Sequence, residues 1–238
     1  MKIALIGYGK MGKAIESIAL ERGHEVVLTI GLENLTDFNI ENLKKADLAI
    51  EFTSPESAFQ NISTCLHTGL AVVSGSTGWL DRKNEIIDFC NQTNGSFIHA
   101  NNYSIGVNLF FEINAFLARL MQNQPAYKTS IEEIHHTEKK DAPSGTAIHI
   151  AEDILSINKK MKQWVLGPSS QSDELSINSK RIDPAPGTHS VFYDSEIDSI
   201  EIKHTAHNRK GFALGAVLAA EFIHDKKGVF TMRDVLSL

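Results

Sequence analysis

The stretch that decides the fold reads KIALIGYGKMGKAI and spans residues 2–15. Four apolar residues, Ile3 to Ile6, precede glycines at positions 7, 9 and 12, and a helical apolar period follows. In this G-x-G-x-x-G spacing the first glycine permits a tight turn, the second lets the backbone approach a pyrophosphate, and the third allows close helix packing. The stretch therefore predicts a strand, a phosphate-binding turn and a helix whose N-terminus faces a dinucleotide diphosphate.

An acidic residue stands where a dinucleotide-binding βαβ unit needs one. Glu33 follows Gly12 by twenty-one residues, just past a predicted second strand, Glu25 to Ile30. A carboxylate there accepts the ribose hydroxyls and repels a 2′-phosphate, and Asn34 adds no positive charge, so NADH is slightly favoured. Lys10 lies inside the turn and can pair with a phosphate, which keeps NADPH open. Two interpretations without a cofactor role remain open: the glycine turn binds no ligand, and Lys10 is simply solvated.

Two further loops of the first half are candidates for the cofactor site, because ligands of open parallel sheets bind outside the carboxyl ends of the strands. These loops follow the predicted fourth and fifth strands. Ordinary turn chemistry explains their composition nearly as well. The full set of candidate cofactor-binding residues is Gly7, Tyr8, Gly9, Lys10, Met11, Gly12, Glu33, Gly75, Ser76, Thr77, Asn101, Asn102, Tyr103 and Ser104.

The pattern of apolar runs divides the chain into two parts. From Lys2 to His99 short apolar runs alternate with helical periods, as in a doubly wound parallel sheet covered by helices on both faces. The alternation is lost afterwards, and three strand-like runs predict a mixed or antiparallel sheet: Glu174–Arg181, His189–Tyr193 and Ser199–His204. We expect a Rossmann-type α/β domain over residues 1–104, completed by residues 212–238, and an α+β substrate domain over residues 105–211.

Composition limits the class of protein. The chain has 238 residues, 42% of them hydrophobic and 22% charged, which is typical of a folded globular protein. A formal net charge of -6 argues against nucleic-acid and anionic-membrane partners. Two cysteines are too few for a disulfide framework or a cysteine metal site, and the N-terminal apolar run is too short for a signal peptide. We expect a cytoplasmic protein.

The densest reactive segment is IHHTEKKDAPSGT, residues 134–146, where a predicted strand leads into a helix. His135 and His136 lie on opposite faces if both belong to the strand, so their roles should differ. Lys139 can supply an anion contact or a proton. Helix N-termini bind carboxylates through free backbone N–H groups, which makes Ser144, Gly145 and Thr146 substrate-binding candidates.

Two alternative interpretations of this segment remain open. The first is an ordinary capped helix after a loop, with His135 and His136 as polar residues without a reactive role. The second is zinc, since histidines are numerous. No H-E-x-x-H motif or cysteine pair accompanies them, so we expect no metal.

Several motifs together resemble one family, the 4-hydroxy-tetrahydrodipicolinate (dihydrodipicolinate) reductases of lysine and diaminopimelate biosynthesis. They are HHTEKKDAPSGTA, GYGKMG, EFTSPES, SGSTGW, NNYSIGVN and HNRKGFALGAVLAAEFI. The resemblance runs nearly end to end. It implies a dinucleotide domain, a substrate domain on a four-stranded mixed sheet, a homotetramer, and hydride transfer from NADH or NADPH to a cyclic dicarboxylate.

The same resemblance implies roles for individual residues. His135 matches the family's proton donor or acceptor and Lys139 its proton donor, so these two are the catalytic candidates. His136, Gly145 and Thr146 match substrate-binding positions. The chain departs from the family pattern in a short segment between the second and third strands, in Glu33-Asn34 where some members have an acid-Arg pair, and in Asp183, which replaces the first glycine of an R-x-G-x-x-x-G stretch.

Two other functions remain open at this level. One is another small-substrate dehydrogenase, for instance one acting on an amino-acid aldehyde. A thiolate mechanism would need a strand-end cysteine, and Cys65 and Cys90 both lie on predicted helices. The other is a dinucleotide sensor without catalysis, which has little need of the residues from His135 to Thr146.

Overall fold

The computed structural model describes residues 1–238, which divide into two compact units. The first unit comprises Met1–Ile105 and Arg209–Leu238, and the second comprises Gly106–Asn208. No helix is both long and apolar enough to cross a membrane.

The first unit is built on a six-stranded parallel sheet with the order β11-β5-β4-β3-β1-β2. Its strands are β1 (Lys2–Ile6), β2 (Glu25–Ile30), β3 (Leu48–Glu51), β4 (Ala71–Ser74), β5 (Ser96–His99) and β11 (Gly228–Phe230). Its helices are α1 (Lys10–Glu21), α2 (Ile40–Leu43), α3 (Pro55–His67), α4 (Lys83–Gln92), α7 (Lys210–Ile223) and α8 (Met232–Leu236), with short 3₁₀ helices at Leu32–Asp37 and Leu80–Arg82.

The strand order explains where a ligand can bind. β1 pairs with β2 on one side and with β3 on the other, so the direction of winding reverses between β1 and β3. Apolar side chains are buried on both faces of this sheet, as expected for parallel strands: Ile3 and Leu5 on one face, Ala4 and Ile6 on the other. The loops after β1 and β3 therefore meet at the switch point, which is the usual crevice for a dinucleotide.

The last long helix, α7, packs on the sheet of the first unit, as the sequence predicts. Ala213, Ala216 and Ala220 are fully buried in the apolar core that α7 forms with β3, β4 and β5. Gly215 approaches the chain so closely that an added Cβ would lie 1.7 Å from the carbonyl oxygen of Tyr103. Small residues are required because α7 lies directly on the backbone beneath it.

The second unit is built on a mixed sheet with the order β10-β9-β6-β8-β7. Its elements are α5 (Ile105–Met121), β6 (Lys128–His135), α6 (Gly145–Ile157), β7 (Gln163–Leu166), β8 (Glu174–Arg181), β9 (Gly187–Asp194) and β10 (Ser199–Ala206). β6 is antiparallel to β9 and parallel to β8. Residues of α5 and α6, including Phe110 and Ile150, share one apolar core with this sheet.

The number of strands in the second sheet differs from the expectation. It has five strands, not four, because Gln163–Leu166 pairs parallel with β8. This run of four residues is short and only partly buried, so neither its length nor its burial pattern marks it in the sequence. It becomes a strand because the edge of β8 offers unpaired backbone groups.

Three short elements of the first unit were also not predicted: α2, β11 and α8. None of the three has a long apolar period, and they depend instead on a local cap or on pairing with a distant strand. The side chain of Asn39 accepts a hydrogen bond from the backbone N–H of Asn42 and starts α2. β11 forms only by pairing with β5, more than a hundred residues earlier in the chain.

Candidate active site

The glycine turn after β1 has the close packing that its spacing predicts. Gly7 has a φ of +101°, and an added Cβ would lie 2.0 Å from the carbonyl oxygen of Phe52 in the loop after β3. An added Cβ at Gly12 would lie 2.3 Å from the carbonyl oxygen of Gly7. At Gly9 the same atom would meet nothing within 4 Å. Gly7 and Gly12 are thus required for packing, whereas Gly9 leaves its surface open for a ligand.

The N-terminus of α1 suits an anion. Gly9 occupies the capping position, so no side chain caps the helix, and its first turn holds no acidic residue. Its first backbone N–H groups and the positive end of the helix dipole therefore face an approaching diphosphate without competition from a side-chain cap. Lys10 is exposed at the first helical position. Tyr8 donates a 2.5 Å hydrogen bond to Glu16. The donor set fits a pyridine dinucleotide.

The acid predicted to bind ribose lies just beyond the end of β2. Glu33 is exposed in the 3₁₀ helix that follows this strand. Its neighbour Asn34 has a local structural role, accepting a hydrogen bond from Gly31 N–H at 2.8 Å and donating one to the carbonyl of Thr29 at 2.9 Å. The Glu33 carboxylate is therefore one of the groups that this turn presents to solvent.

A buried carboxylate that sequence reasoning missed connects the loops after β3 and β4. Glu51 is fully buried at the end of β3. It accepts hydrogen bonds from Ser74 Oγ at 2.6 Å, from Ser76 Oγ at 2.7 Å and from the backbone N–H of Thr53 at 3.0 Å. The Thr53 hydroxyl also donates to it. A charged residue within the apolar run LAIEF was the available signal.

The candidate residues after β4 and β5 divide into exposed and interior ones. Thr77 and Asn101 are exposed. Ser76 is buried and donates to Glu51, and Tyr103 is buried in the core, where its hydroxyl donates to the carbonyl of Ser74 at 2.7 Å. The side chains of Ser76 and Tyr103 are therefore occupied within the protein, and the carbonyl of Ser76 accepts a hydrogen bond from the Trp79 indole at 2.8 Å.

In the second unit, β6 ends at His135, the first of the two adjacent histidines. His135 is buried and His136, which lies just beyond the strand, is half-buried. Glu133, two residues earlier, is on the same face as His135 and is completely buried. Its carboxylate oxygen Oε2 lies 3.2 Å from Nδ1 of His135.

The Glu133 carboxylate has several further donors. The backbone N–H of Ser144 donates to both of its oxygens, at 3.1 and 3.2 Å, and the guanidinium of Arg181 donates at 3.2 Å. Burial raises the pKa of the Glu133 carboxyl, but the interactions with His135, Ser144 and Ser179 outweigh burial and hold this pKa well below its usual range. Glu133 is therefore an anion at neutral pH.

Arg181 connects the loop that carries Lys139 to this carboxylate. Its guanidinium donates to the carbonyl of Asp141 at 2.5 Å and to that of Lys139 at 3.2 Å. The Lys139 ammonium lies 2.8 Å from the Asp141 carboxylate, and its side chain is 23% exposed. Sequence reasoning noted Arg181 only as the start of a glycine-containing stretch and did not assign it to the site.

The start of α6 differs from the expectation at one residue. Ser144 is buried, its hydroxyl caps the N–H of Ala147 at 3.2 Å, and its own N–H is bonded to Glu133. The N–H of Ser144 is thus used within the protein, and its hydroxyl also lies 3.2 Å from Nε2 of His189. Gly145 is exposed, and an added Cβ there would meet nothing within 4 Å. A bound carboxylate can therefore approach α6 at Gly145 and Thr146.

His189 of β9 joins the cluster and was not predicted. Its ring lies edge-on to His135, with ring centroids 5.1 Å apart, and burial together with the His135 charge lowers its pKa to about 3. Glu133, His135 and His189 offer three ligand atoms within 4.8 Å of one another, a possible metal site. Because the Glu133 carboxylate is already occupied by Ser144 and Arg181, the absence of a metal remains our prediction.

The departure from the family pattern at Asp183 has a structural role. Its carboxylate accepts hydrogen bonds from the backbone N–H of Thr137 at 3.0 Å and from the Thr137 hydroxyl at 2.6 Å. These bonds connect the segment after β8 to the loop that follows His136. They also lower the pKa of the Asp183 carboxyl.

A glycine turn against an uncapped helix, an acid after the second strand, and a buried carboxylate–histidine pair in a second α+β unit define the class: a pyridine-nucleotide-dependent reductase built on a Rossmann-type fold. The N-terminal model of the dihydrodipicolinate reductase family matches residues 1–103 and the C-terminal model matches residues 106–236. The chain belongs to the dihydrodipicolinate reductase family, which confirms the resemblance drawn from its motifs.

Individual relatives extend over the whole chain. A 4-hydroxy-tetrahydrodipicolinate reductase of Christiangramia forsetii is 51% identical over 241 residues, covering 100% of this chain and 98% of the relative. The enzyme of the same name from Methanosarcina acetivorans is 35% identical, covering 99% and 89%. The structure of a dipicolinate-bound dihydrodipicolinate reductase from Paenisporosarcina sp. TG-14 has a TM-score of 0.79 at 22% identity, covering 98% of each chain. This structure confirms the predicted fold class.

Proposed function

We propose that the chain reduces 4-hydroxy-tetrahydrodipicolinate with NAD(P)H and a proton, giving tetrahydrodipicolinate, NAD(P)⁺ and water, in lysine and diaminopimelate biosynthesis. The observation that carries the proposal is the placement of buried His135 beside Glu133, next to the N-terminus of α6, in a chain that matches the reductase family along its length. A dinucleotide sensor would have no use for this arrangement.

The first unit is the proposed dinucleotide-binding domain, residues 1–104 completed by residues 212–238. The backbone of Gly7 to Gly12 would hold the diphosphate and Glu33 the adenosine ribose, while the loops at Gly75–Thr77 and Asn101–Ser104 would border the nicotinamide. When bound, the reduced nicotinamide supplies the hydride. Exposed Glu33 repels a 2′-phosphate, so NADH is slightly favoured over NADPH, while Lys10 keeps use of both available.

The second unit is the proposed substrate domain, residues 105–211. The substrate carries two carboxylates, and the N–H groups of Gly145 and Thr146 together with His136 would hold them. Ser144 contributes indirectly, since it orients the start of α6 through its bond to Glu133. Fixing the carboxylates orients the ring for reaction, which lowers the entropic part of the barrier.

A proton must be supplied for the reaction to balance. Loss of the 4-hydroxyl as water leaves a conjugated cyclic imine that accepts the hydride, and His135 or Lys139 supplies the proton. Lys139 is a cation next to Asp141 with part of its side chain open to solvent. His135 directs Nδ1 at Glu133 and leaves Nε2 for exchange.

We further propose a homotetramer in the cytoplasm, assembled through the second unit. On β6 the residues Ser130, Glu132 and Ile134 face away from the apolar core and are only half-buried. This open sheet face supports self-association. Equilibrium sedimentation tests it: a mass of four chains is expected, and a monomer would refute the assembly.

Steady-state rates with the cyclic substrate test the function. The wild-type chain should oxidise both NADH and NADPH in the presence of 4-hydroxy-tetrahydrodipicolinate, with the higher kcat/KM for NADH. Omitting the substrate is the control for background oxidation. Failure to oxidise either dinucleotide with this substrate would reject the proposed activity and favour the sensor.

A further inference from the structure

The relationship between Glu133 and His135 carries an inference about how the proton donor is held. We propose that Glu133 is a positioning residue that holds the His135 ring through Nδ1, so that Nε2 is the nitrogen that exchanges the proton, and that the same carboxylate fixes the start of α6. The inference rests on the proposed function.

The strand geometry aims the two side chains at each other. Residues i and i+2 of a strand share a face, so Glu133 and His135 both point from β6 into the same buried space. Nδ1 of His135 is 3.2 Å from Oε2 of Glu133, outside hydrogen-bond geometry, and this buried nitrogen has no hydrogen-bond partner. Such contacts are often long in the absence of substrate and tighten when it binds.

The other ring nitrogen of His135 lies in a different environment. An added Cβ at Gly187 would lie 3.1 Å from Nε2, so the lack of a side chain at Gly187 is what keeps this nitrogen uncrowded. A carboxylate at Nδ1 fixes the tautomer and the orientation of a histidine, and leaves Nε2 as the working atom. The ring therefore faces a carboxylate at Nδ1 and is left uncrowded at Nε2.

The carboxylate itself is held firmly. It is fully buried, and the Ser144 N–H and the Arg181 guanidinium bond to its two oxygens. Because Ser144 is the capping residue of α6, one side chain connects the proposed proton donor with the proposed carboxylate-binding helix end. Displacing Glu133 would disturb both.

The charged and titratable groups around the pair come from two strands and one loop. Arg181 approaches from β8, His189 from β9, and Lys139 and Asp141 from the loop before α6. Burial lowers the pKa of His189, so this ring is uncharged at neutral pH. Glu133 and Arg181 are thus the fixed charges beside His135.

The test replaces Glu133 by glutamine, which keeps the size and removes the charge. Glu152→Gln is the matched control, because Glu152 is an exposed carboxylate on α6 of the same unit, away from both the pair and the open face of β6. Loss of a carboxylate that orients a functional histidine typically lowers activity by about 10–100-fold. We expect the kcat of Glu133→Gln to fall by about that factor, the KM for NADH to stay within about twofold, and the pH dependence of kcat to shift. Glu152→Gln should match the wild type.

Three outcomes would overturn the inference: a folded Glu133→Gln enzyme with kcat within about twofold of wild type, an equal loss in Glu152→Gln, or a lower kcat with an unchanged pH profile. An inactive wild type would instead reject the proposed function. Nitrogen-15 NMR of the wild-type histidines decides the geometry without any need for a folded variant, with the His135 ring signals assigned through correlations to the backbone of the wild-type protein. At a pH where the ring is neutral, a proton on Nδ1 supports the inference and a proton on Nε2 refutes it.

Discussion

Gly7 lies directly against the backbone of Phe52, so that a Cβ on Gly7 would be 2.0 Å from the Phe52 carbonyl oxygen. This approach joins the loops after β1 and β3, where the winding direction of the parallel sheet reverses. Gly9, two residues later, has open space where its Cβ would be. Two glycines of one motif therefore serve different purposes, and single substitutions can separate them.

Gly7→Ala should destabilise the fold, whereas Gly9→Ala should weaken dinucleotide binding. At Gly7 the positive φ and the overlap with Phe52 add a cost on the order of 2–4 kcal/mol, to be measured by denaturant unfolding. At Gly9 the methyl group would occupy the space in which the backbone approaches a pyrophosphate. We expect normal stability and a Kd for NADH raised at least about tenfold. Unchanged NADH binding in Gly9→Ala would contradict the proposed site.

Lys139→Ala should lower kcat by at least about a hundredfold with NADH affinity retained, if Lys139 provides a general acid. The partner Asp141 is 59% exposed, so removing the lysine leaves no buried unpaired charge and should cost little stability. Lys140→Ala, at the neighbouring exposed position, is the control. Steady-state kinetics and NADH titration make the measurement, and near-normal turnover in Lys139→Ala would remove this residue from the mechanism.

Glu33→Ala should shift cofactor preference toward NADPH. The variant removes an exposed carboxylate that repels a 2′-phosphate and accepts ribose hydroxyls. A change on the order of tenfold in the ratio of the two kcat/KM values corresponds to about 1.4 kcal/mol. Glu25→Ala, at the other end of β2, should leave the ratio unaltered. If Glu33→Ala also leaves it unaltered, the role given to Glu33 is wrong.

Stability should fall as the pH is lowered from about 6.5, in part through His99. Burial lowers the pKa of this histidine to about 4, against a hydrogen bond to the carbonyl of Ser76 that acts in the opposite direction. As the pH falls below about 6.5, His99 becomes protonated in the unfolded chain, whereas in the folded chain it stays neutral until about pH 4. The free energy of unfolding therefore decreases across that interval. The loss in free energy of unfolding that His99 causes is on the order of 3 kcal/mol at most.

Thermal unfolding of the wild type and of His99→Gln between pH 7 and pH 4.5 checks this origin. The melting temperature of the variant should depend less steeply on pH. The melting temperature of both proteins should still depend on pH to some extent, because the pKa of buried His189 is also lowered. Parallel curves for the two proteins would show that His99 is not a source of the pH dependence.

Much of the fold could be predicted because its signals are local. The predicted strand Glu174–Arg181 is confirmed as β8, and the predicted second strand, Glu25 to Ile30, is confirmed as β2. Long apolar periods and capping residues act within a few positions of each other, so one sequence suffices to detect them. β7 was not predicted, because a four-residue edge strand forms only through its pairing with the neighbouring strand.

The candidate site could be predicted only in part for the same reason. The glycine motif, His135 and Lys139 stand out by residue type and spacing. The partners of Glu133 are 11 residues away at Ser144 and 48 residues away at Arg181, and those of Glu51 are 23 and 25 residues away. No local pattern indicates which distant donor will meet a buried carboxylate.

The sequence by itself determined the Rossmann-type class, the family and the identity of the reactive segment, because motif spacing and apolar periodicity are properties of neighbouring residues. Only the tertiary structure decided which nitrogen of His135 faces Glu133, that Ser144 is used inside the protein, and that Gly7 packs on Phe52 while Gly9 stays open. The physical reason is that hydrogen bonds and close contacts between distant segments depend on how the strands pair and the helices pack, which local preferences do not specify.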